Sequence, residues 1–388
     1  MEEIAHLSNA AASYGLIESM GAPADPISFP ESRIFRCSRV QALVYDPNTL
    51  TERLLYNVVY RELVAQTKLP FRAYLIGRKL RKAIYGCVRL TSVLHLRDRD
   101  RMVWELTGQL VAVKIIDWNM LRQMRNKRME DPIKEIECLQ YISNYGDELH
   151  PNVVGSLEVL CDELYIYSFM PFCLGGELFT HVERDGRFTE PVARFWFHQI
   201  LQGLYQLQRK GVCHRDLSLE NLMVDERTNC LIIDMGMCVR VPYSSRDGSI
   251  CDVSAGTLRR LIRPQGACGK PVYVSPEVLS NIEPFDGFAV DLWAAGVVLF
   301  IMLVGLPPWE FAHESDPRFN MICQGSLMSL LNQWRRAISP DAGDLLQKMF
   351  QKDARHRLSL IEVMDHKWVT SGNISPPPLN PIIRCEQN

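Results

Sequence analysis

The chain has 388 residues, 47% of them hydrophobic, and a formal net charge of −2. That length and apolar content suffice for two or three compact units, and the near-neutral balance argues against a protein that grips nucleic acid through bulk positive charge. Twelve cysteines are scattered without a Cys-x-x-Cys pair, which argues against a disulfide framework or a zinc site and leads us to expect reduced thiols and a cytoplasmic location, the nucleus being compatible too.

Residues 1–26 are rich in Ala, Ser and Gly and carry no signal-peptide run, because Glu2, Glu3, His6, Glu18 and Asp25 interrupt them. A flexible N-terminus is expected there. Residues 27–69 form an extension. In it Thr49 and Glu52 have capping-box spacing, and Leu55, Val59 and Leu63 recur every four residues beside Val58. The spacing predicts an amphipathic helix whose apolar stripe packs on the main domain or, alternatively, docks a partner.

The main domain is expected at 70–369. Residues 71–93 and 110–117 have strand character around a solvated Arg97–Arg101 hairpin loop, and helical spacing follows over 132–142. Beyond about residue 173, long helical patterns cover 190–210, 290–305, 340–352 and 359–368. This order predicts an α+β, two-lobed fold: a small β-rich N-lobe over about 70–170 with one main helix, then a larger helical C-lobe over about 171–369. The longest apolar run, 292–306, is too short and too close to Asp291 for a membrane span, so a buried helix is expected. Residues 370–388, with Ser375-Pro376-Pro377-Pro378, read as an extended tail.

The strongest chemical signal is His214-Arg215-Asp216-Leu217-Ser218-Leu219-Glu220-Asn221, with Asp234-Met235-Gly236 thirteen residues after Asn221. Phosphoryl transfer needs a carboxylate to orient the attacking hydroxyl and oxygen ligands to hold Mg2+ on the phosphates of ATP. Asp216 suits the first role, and Asn221 with Asp234 the second. Upstream, Val111-Ala112-Val113-Lys114 puts an ammonium on a strand, within reach of phosphates. Glu135, opening a helix, can pair with it. Ser275-Pro276-Glu277, Asp291-Leu292-Trp293 and Arg357 follow in order.

This ordered set resembles the eukaryotic protein kinases over roughly 70–370, of serine/threonine type and most similar to the calmodulin-dependent-like members. The resemblance implies further roles. Met170 would be the gatekeeper of the adenine pocket, with Pro171 and Cys173 as hinge contacts and Glu177 as a ribose ligand. Val88, Ala112 and Met223 would sandwich adenine, and Leu139, Met235 and His214 would form an apolar spine. Glu277 and Arg357 would make a structural ion pair, and Asp291 would anchor the catalytic loop. The implied activity is transfer of the γ-phosphate of Mg-ATP to Ser/Thr hydroxyls of protein substrates.

Two departures stand out. Counting back from Gly86, the other glycine positions of the phosphate-covering loop fall on Arg81 and Ala83. Side chains there predict a stiffer loop that approaches phosphate less closely. Arg81 and Lys82 either add positive charge to the site or are exposed basic residues. Second, Ser218 stands where such kinases carry a lysine, and Lys270 stands where their activation segment carries a threonine. The two side-chain types look exchanged, so Lys270 would deliver the ammonium and Ser218 the hydroxyl. The other reading of Lys270 is a plain surface lysine.

Glu177 and Glu220 sit where an acidic pair would favour basic residues upstream of the target. The segment from Asp234 to Glu277 spans 44 residues and holds Ser244, Ser245, Ser249, Ser254 and Thr257. A phosphate placed there by an upstream kinase could pair with Arg215 and order the segment. The alternative to an active enzyme is a pseudokinase scaffold that binds partners, with or without nucleotide, and transfers nothing.

Overall fold

A computed structural model describes residues 23–62, 72–124, 129–143, 149–244, 258–259 and 261–377. The chain divides into two compact units. One is formed by Pro30–Leu149 and Val154–Phe172; the other by His150–Val153, the chain from Cys173 onward and the N-terminal residues up to Phe29.

The first unit is rich in β-branched and aromatic residues and, among the described residues, forms seven strands: β1 (Phe35–Asp46), β2 (Thr51–Arg61), β3 (Arg72–Ala83), β4 (Gly86–Asp98), β5 (Val103–Asp117), β6 (Glu158–Cys161) and β7 (Tyr165–Pro171). They close into a barrel in the order β1-β2-β3-β4-β5-β7-β6. Pairing is antiparallel except at the seam. There β1 runs parallel to β6, with Phe35 opposite Leu160, and to the start of β5, with Leu43 opposite Val103. Tyr74 and Phe169 stack with centroids 3.8 Å apart among Val59, Val93, Val111 and Val113. A second cluster gathers Val44, Val58, Leu94 and Trp104. The expected Arg97–Arg101 loop is shorter than its spacing suggested, since Arg97 and Asp98 end β4 and residues 99–102 form the turn to β5, and the helix Pro132–Ser143 starts where periodicity placed it.

The helix expected in the extension is instead strand β2. Register jumps between Val40↔Val58 and Ala42↔Leu55, so two residues of β2 oppose one of β1 in a β-bulge. Asn57 in the bulge has φ 64°, and its Oδ1 accepts from Arg39 Nε at 3.2 Å and Nη2 at 2.7 Å. The extra residue sends Leu55, Val58 and Tyr60 to one cluster and Val59 to the other. A bulged strand whose apolar residues divide between two clusters at its buried end, Val58 and Val59, therefore imitates helical spacing. Leu63 lies outside the described residues. The domain bounds change accordingly: the β-rich unit begins at residue 30, not 70, and residues 24–28 pair with the helical unit instead of hanging free.

In the second unit the main helices are Glu190–Arg209, Gly287–Val304 and Pro340–Met349. Gly287–Val304 is buried at every residue, which explains an apolar run without a polar face. By length and composition it could cross a membrane, but its side chains are spent in the core. Gly305 ends it at φ 82°, where a Cβ would come 2.0 Å from Gly186 O. The pattern over 359–368 splits into Leu360–Asp365 and Lys367–Thr370, because the His366 ring accepts from Trp368 N at 3.2 Å and caps the second piece. Of the proline-containing tail, residues 378–388 lie outside the described residues.

The core of this unit encloses Arg357, 2% exposed. Its Nη1 and Nη2 donate to Glu277 Oε1 at 2.8 Å and Oε2 at 3.2 Å, and it also donates to Ala289 O and Gln351 O. Removing one partner strands a carboxylate and two carbonyls. We expect Arg357→Met to cost about 3–5 kcal/mol of stability, read as a thermal midpoint several degrees lower. An unchanged midpoint would show the pair to be dispensable.

Candidate active site

Each unit carries a cluster of the residues singled out in sequence. In the β-rich unit, Lys114 of β5 is 7% exposed, and its Nζ lies 2.5 Å from Glu135 Oε2. Glu135 sits in the first turn of the helix Pro132–Ser143, whose start is capped by Asp131 Oδ1 accepting from Ile133 N at 2.9 Å. Burial strengthens this ion pair and aims the ammonium. Glu130 Oε1 is a second carboxylate 3.6 Å from the same ammonium. Sequence reasoning missed it, since nothing local distinguishes Glu130 from a solvated acid.

The β3–β4 turn consists of Ile84 and Tyr85 alone, with Ala83 opposite Gly86 and Arg81 opposite Val88. Tyr85 is buried, its hydroxyl donating to Glu130 O at 3.0 Å and its carbonyl accepting from Asp117 N at 2.9 Å. A Cβ on Gly86 would stand 2.0 Å from Ile115 O, so glycine is required there. The loop is thus pinned by its own tip, in line with the stiffness expected of it. Arg81 is exposed and Ala83 half-buried. Register sets Val88 opposite Lys114, Leu90 opposite Ala112 and Ala112 opposite Met170, so these side chains share one face of the sheet. Pro171 follows Met170 at the end of β7, and Leu139 is buried in the helix Pro132–Ser143.

In the helical unit, Asp291 is 1% exposed and holds the loop 214–221 from inside. Its Oδ2 accepts from His214 N at 2.7 Å and its Oδ1 from Arg215 N at 2.8 Å. Burial raises its pKa against the opposing pull of His214 and those two amides. The His214 ring lies 2.8 Å by Nε2 from Ile233 O and accepts from Asp216 N at Nδ1, 3.2 Å away, so Nε2 carries the proton. Asn221 Nδ2 donates to Asp216 O at 2.8 Å and to Asp216 Oδ2 at 3.0 Å, which leaves Oδ1 of Asn221 as its ligand atom. Asp234, at φ 66°, accepts from Gly236 N at 3.4 Å, and Met235 behind it is fully buried.

The activation segment returns to this loop. Gly269 takes φ 92°, and a Cβ there would stand 3.1 Å from Arg215 O and 3.5 Å from Asp216 Oδ1. The next residue, Lys270, donates from Nζ to Ser218 Oγ and lies 3.8 Å from Glu220 Oε2. The exchanged pair is therefore in contact. Arg215 Nη2 donates to Gly266 O at 3.0 Å. Of the hydroxyls proposed for phosphorylation, Ser244 is described only as backbone of a short strand, and Ser245, Ser249, Ser254 and Thr257 lie outside the described residues.

Met223 pairs with Glu177 across two short strands of this unit. Cys173 is buried, and desolvation pushes its thiol up to about 12, the range of an inert core cysteine. The donor set of Asp234 and Asn221, one carboxylate and one amide oxygen, fits a hard cation such as Mg2+.

A family model described as "Protein kinase domain" matches residues 101–369. The chain is similar to CBL-interacting protein kinase 16 of Oryza sativa subsp. japonica, with 34% identity over 318 residues, 82% of this chain and 61% of the relative. It is also similar to serine/threonine protein kinase OSK3 of Oryza sativa subsp. japonica, with 32% identity over 296 residues, 76% of this chain and 50% of the relative. The chain thus spans less than two thirds of either relative's length.

Proposed function

This chain belongs to the protein kinase family, and on that premise we propose that it transfers the γ-phosphate of ATP to serine and threonine hydroxyls of protein substrates. The observation that carries this reading is the assembled catalytic loop: Asp291 fixes the His214 and Arg215 amides while Asn221 holds one oxygen of Asp216.

Asp216 orients the substrate hydroxyl and accepts its proton as the oxygen attacks phosphorus. Lys114, kept in place by Glu135, takes the α- and β-phosphates. In the β-rich unit Val88, Ala112, Met170 and Pro171 offer an apolar surface for adenine; in the helical unit Cys173 and Met223 offer adenine contacts and Glu177 a ribose ligand. Arg81, Ala83 and Gly86 cover the phosphates from a stiff hairpin, so nucleotide is gripped less by loop backbone than by Lys114. Mg2+, when held by Asp234 and Asn221, would neutralise charge on the phosphates. Lys270 adds an ammonium beside Asp216, and Ser218 steers it.

Glu177 favours basic residues upstream of the target. Glu220 contributes less to this than spacing suggested, because it already faces Lys270. An upstream kinase acting on Ser244, Ser245, Ser249, Ser254 or Thr257, with Arg215 as receiver, belongs to the same proposal, as does a cytoplasmic location. The scaffold alternative is the weaker one, since a protein that only binds partners has no chemical need for the formed Lys114–Glu135 and Asp216–Asn221 pairs.

The test is transfer of labelled γ-phosphate from Mg-ATP to two serine peptides, one with arginine upstream and one without. We expect labelling of both, faster with arginine. No labelling of either, with Mg-ATP still bound, would leave the scaffold; equal rates would remove the basic preference.

A further inference from the structure

Residues 24–28 lie before the β-rich unit in sequence, yet they are built into the other unit. Ala24 N donates to Leu261 O at 3.0 Å, and Arg263 N donates to Ala24 O at 3.0 Å. Three residues on, Ile27 N donates to Arg240 O at 2.9 Å, and Arg240 Nη1 returns a bond to Ser28 O at 3.1 Å. Asp25 adds an exposed ion pair to Arg263 at 2.9 Å. One short segment thus ties together Arg240 and residues 261–263, two stretches of the activation segment that are far apart in sequence.

The local sequence suits that task. Pro23, Pro26 and Pro30 hold their φ angles near extended values and lack N–H groups, while Ala24 and Ile27, between them, supply the donors. Little conformational freedom is left for the segment to lose on docking. Both anchor points also lead straight to the catalytic loop. Arg240 pairs with Val212 on the short strand that runs into His214. Ile262, fully buried, pairs with Phe285 and packs among Cys213, Val241 and Cys268. From Ile262 the chain passes through Gly266, bonded by Arg215, to Gly269 and Lys270 against Asp216 and Ser218.

We propose that residues 24–28 are a cis-acting clamp that positions the activation segment, so that phosphoryl transfer depends on chain upstream of Pro30. The proposal rests on the kinase reading above, with Ala24 and Ile27 as positioning residues that touch no substrate. Loss of the clamp removes the backbone ties that hold Leu261 and Arg263, and only a fraction of molecules then presents Gly269 and Lys270 correctly.

The experiment compares the full chain with Ala24→Pro/Ile27→Pro, which removes both donors without deleting chain, and with a chain beginning at Pro30. Hydrogen exchange is followed at the Arg263, Tyr273 and Val274 amides, beside peptide-phosphorylation kinetics. We expect faster exchange at all three amides, kcat lower by about tenfold, and KM for ATP unchanged. The clamp is overturned if exchange at Tyr273 and Val274 stays as in the full chain, or if it quickens while kcat holds. If the full chain transfers no phosphate, the kinase reading fails, and the exchange data still decide whether residues 24–28 hold the segment.

Discussion

Asp216→Asn is expected to lower kcat for peptide phosphorylation by about 10²- to 10⁴-fold, the usual contribution of a positioned general base, with little change in thermal midpoint. The substitution is nearly isosteric, and an amide oxygen can still accept from Asn221 Nδ2, which now stands 3.0 Å from Asp216 Oδ2. The loop's other supports do not involve this side chain, since Asp291 binds the His214 and Arg215 amides. What disappears is the negative charge that takes the hydroxyl proton as phosphorus is attacked. Labelled-phosphate transfer with purified wild-type and variant protein is the measurement. A variant as active as wild type would mean that another site or a contaminant does the chemistry.

The second large effect concerns Lys270. Its ammonium touches Ser218 Oγ, on the strand of chain that also carries Asp216, and no lysine stands in the catalytic loop itself. Removing a single preorganised group that stabilises transition-state charge lowers kcat by roughly 10²- to 10³-fold, and we expect Lys270→Thr to fall there. Ser218→Lys alone should also be impaired, because it sets two ammonium groups against each other. The double variant Ser218→Lys/Lys270→Thr restores one ammonium and one hydroxyl across the same contact, and should regain most of the lost rate. Recovery in the double variant separates a charge requirement from a folding defect, which combining two substitutions would deepen. Wild-type kcat in Lys270→Thr would show the ammonium to be idle.

Most of the helical unit was legible in the chain, because a helix records its burial within itself. The run at 287–304 is apolar on every side but for the buried Asp291, and the residues that stop it and cap it are its immediate neighbours. The loop from His214 to Asn221 stood out for a related reason: Asp216, Asn221 and Asp234 lie close together along the chain, in a spacing that suggests phosphoryl transfer. Lys114 and Glu135 were found by residue type and order, and they do pair.

The rest was decided by contacts between residues far apart in sequence. Strand β2 imitates a helix because a bulge shifts its side chains between two cores, and a bulge is visible only against β1. Barrel closure pairs Phe35 with Leu160, which no local period encodes. Glu130 beside Lys114 and the tie from residues 24–28 to Arg240 and Leu261 are of the same kind. So is the meeting of Lys270 with Ser218: order suggested an exchange, but only the return of the activation segment over Gly269 brings the ammonium to the hydroxyl. Periodicity and motif spacing report what a residue needs from its neighbours along the chain; which distant partner satisfies it is settled when the whole chain packs.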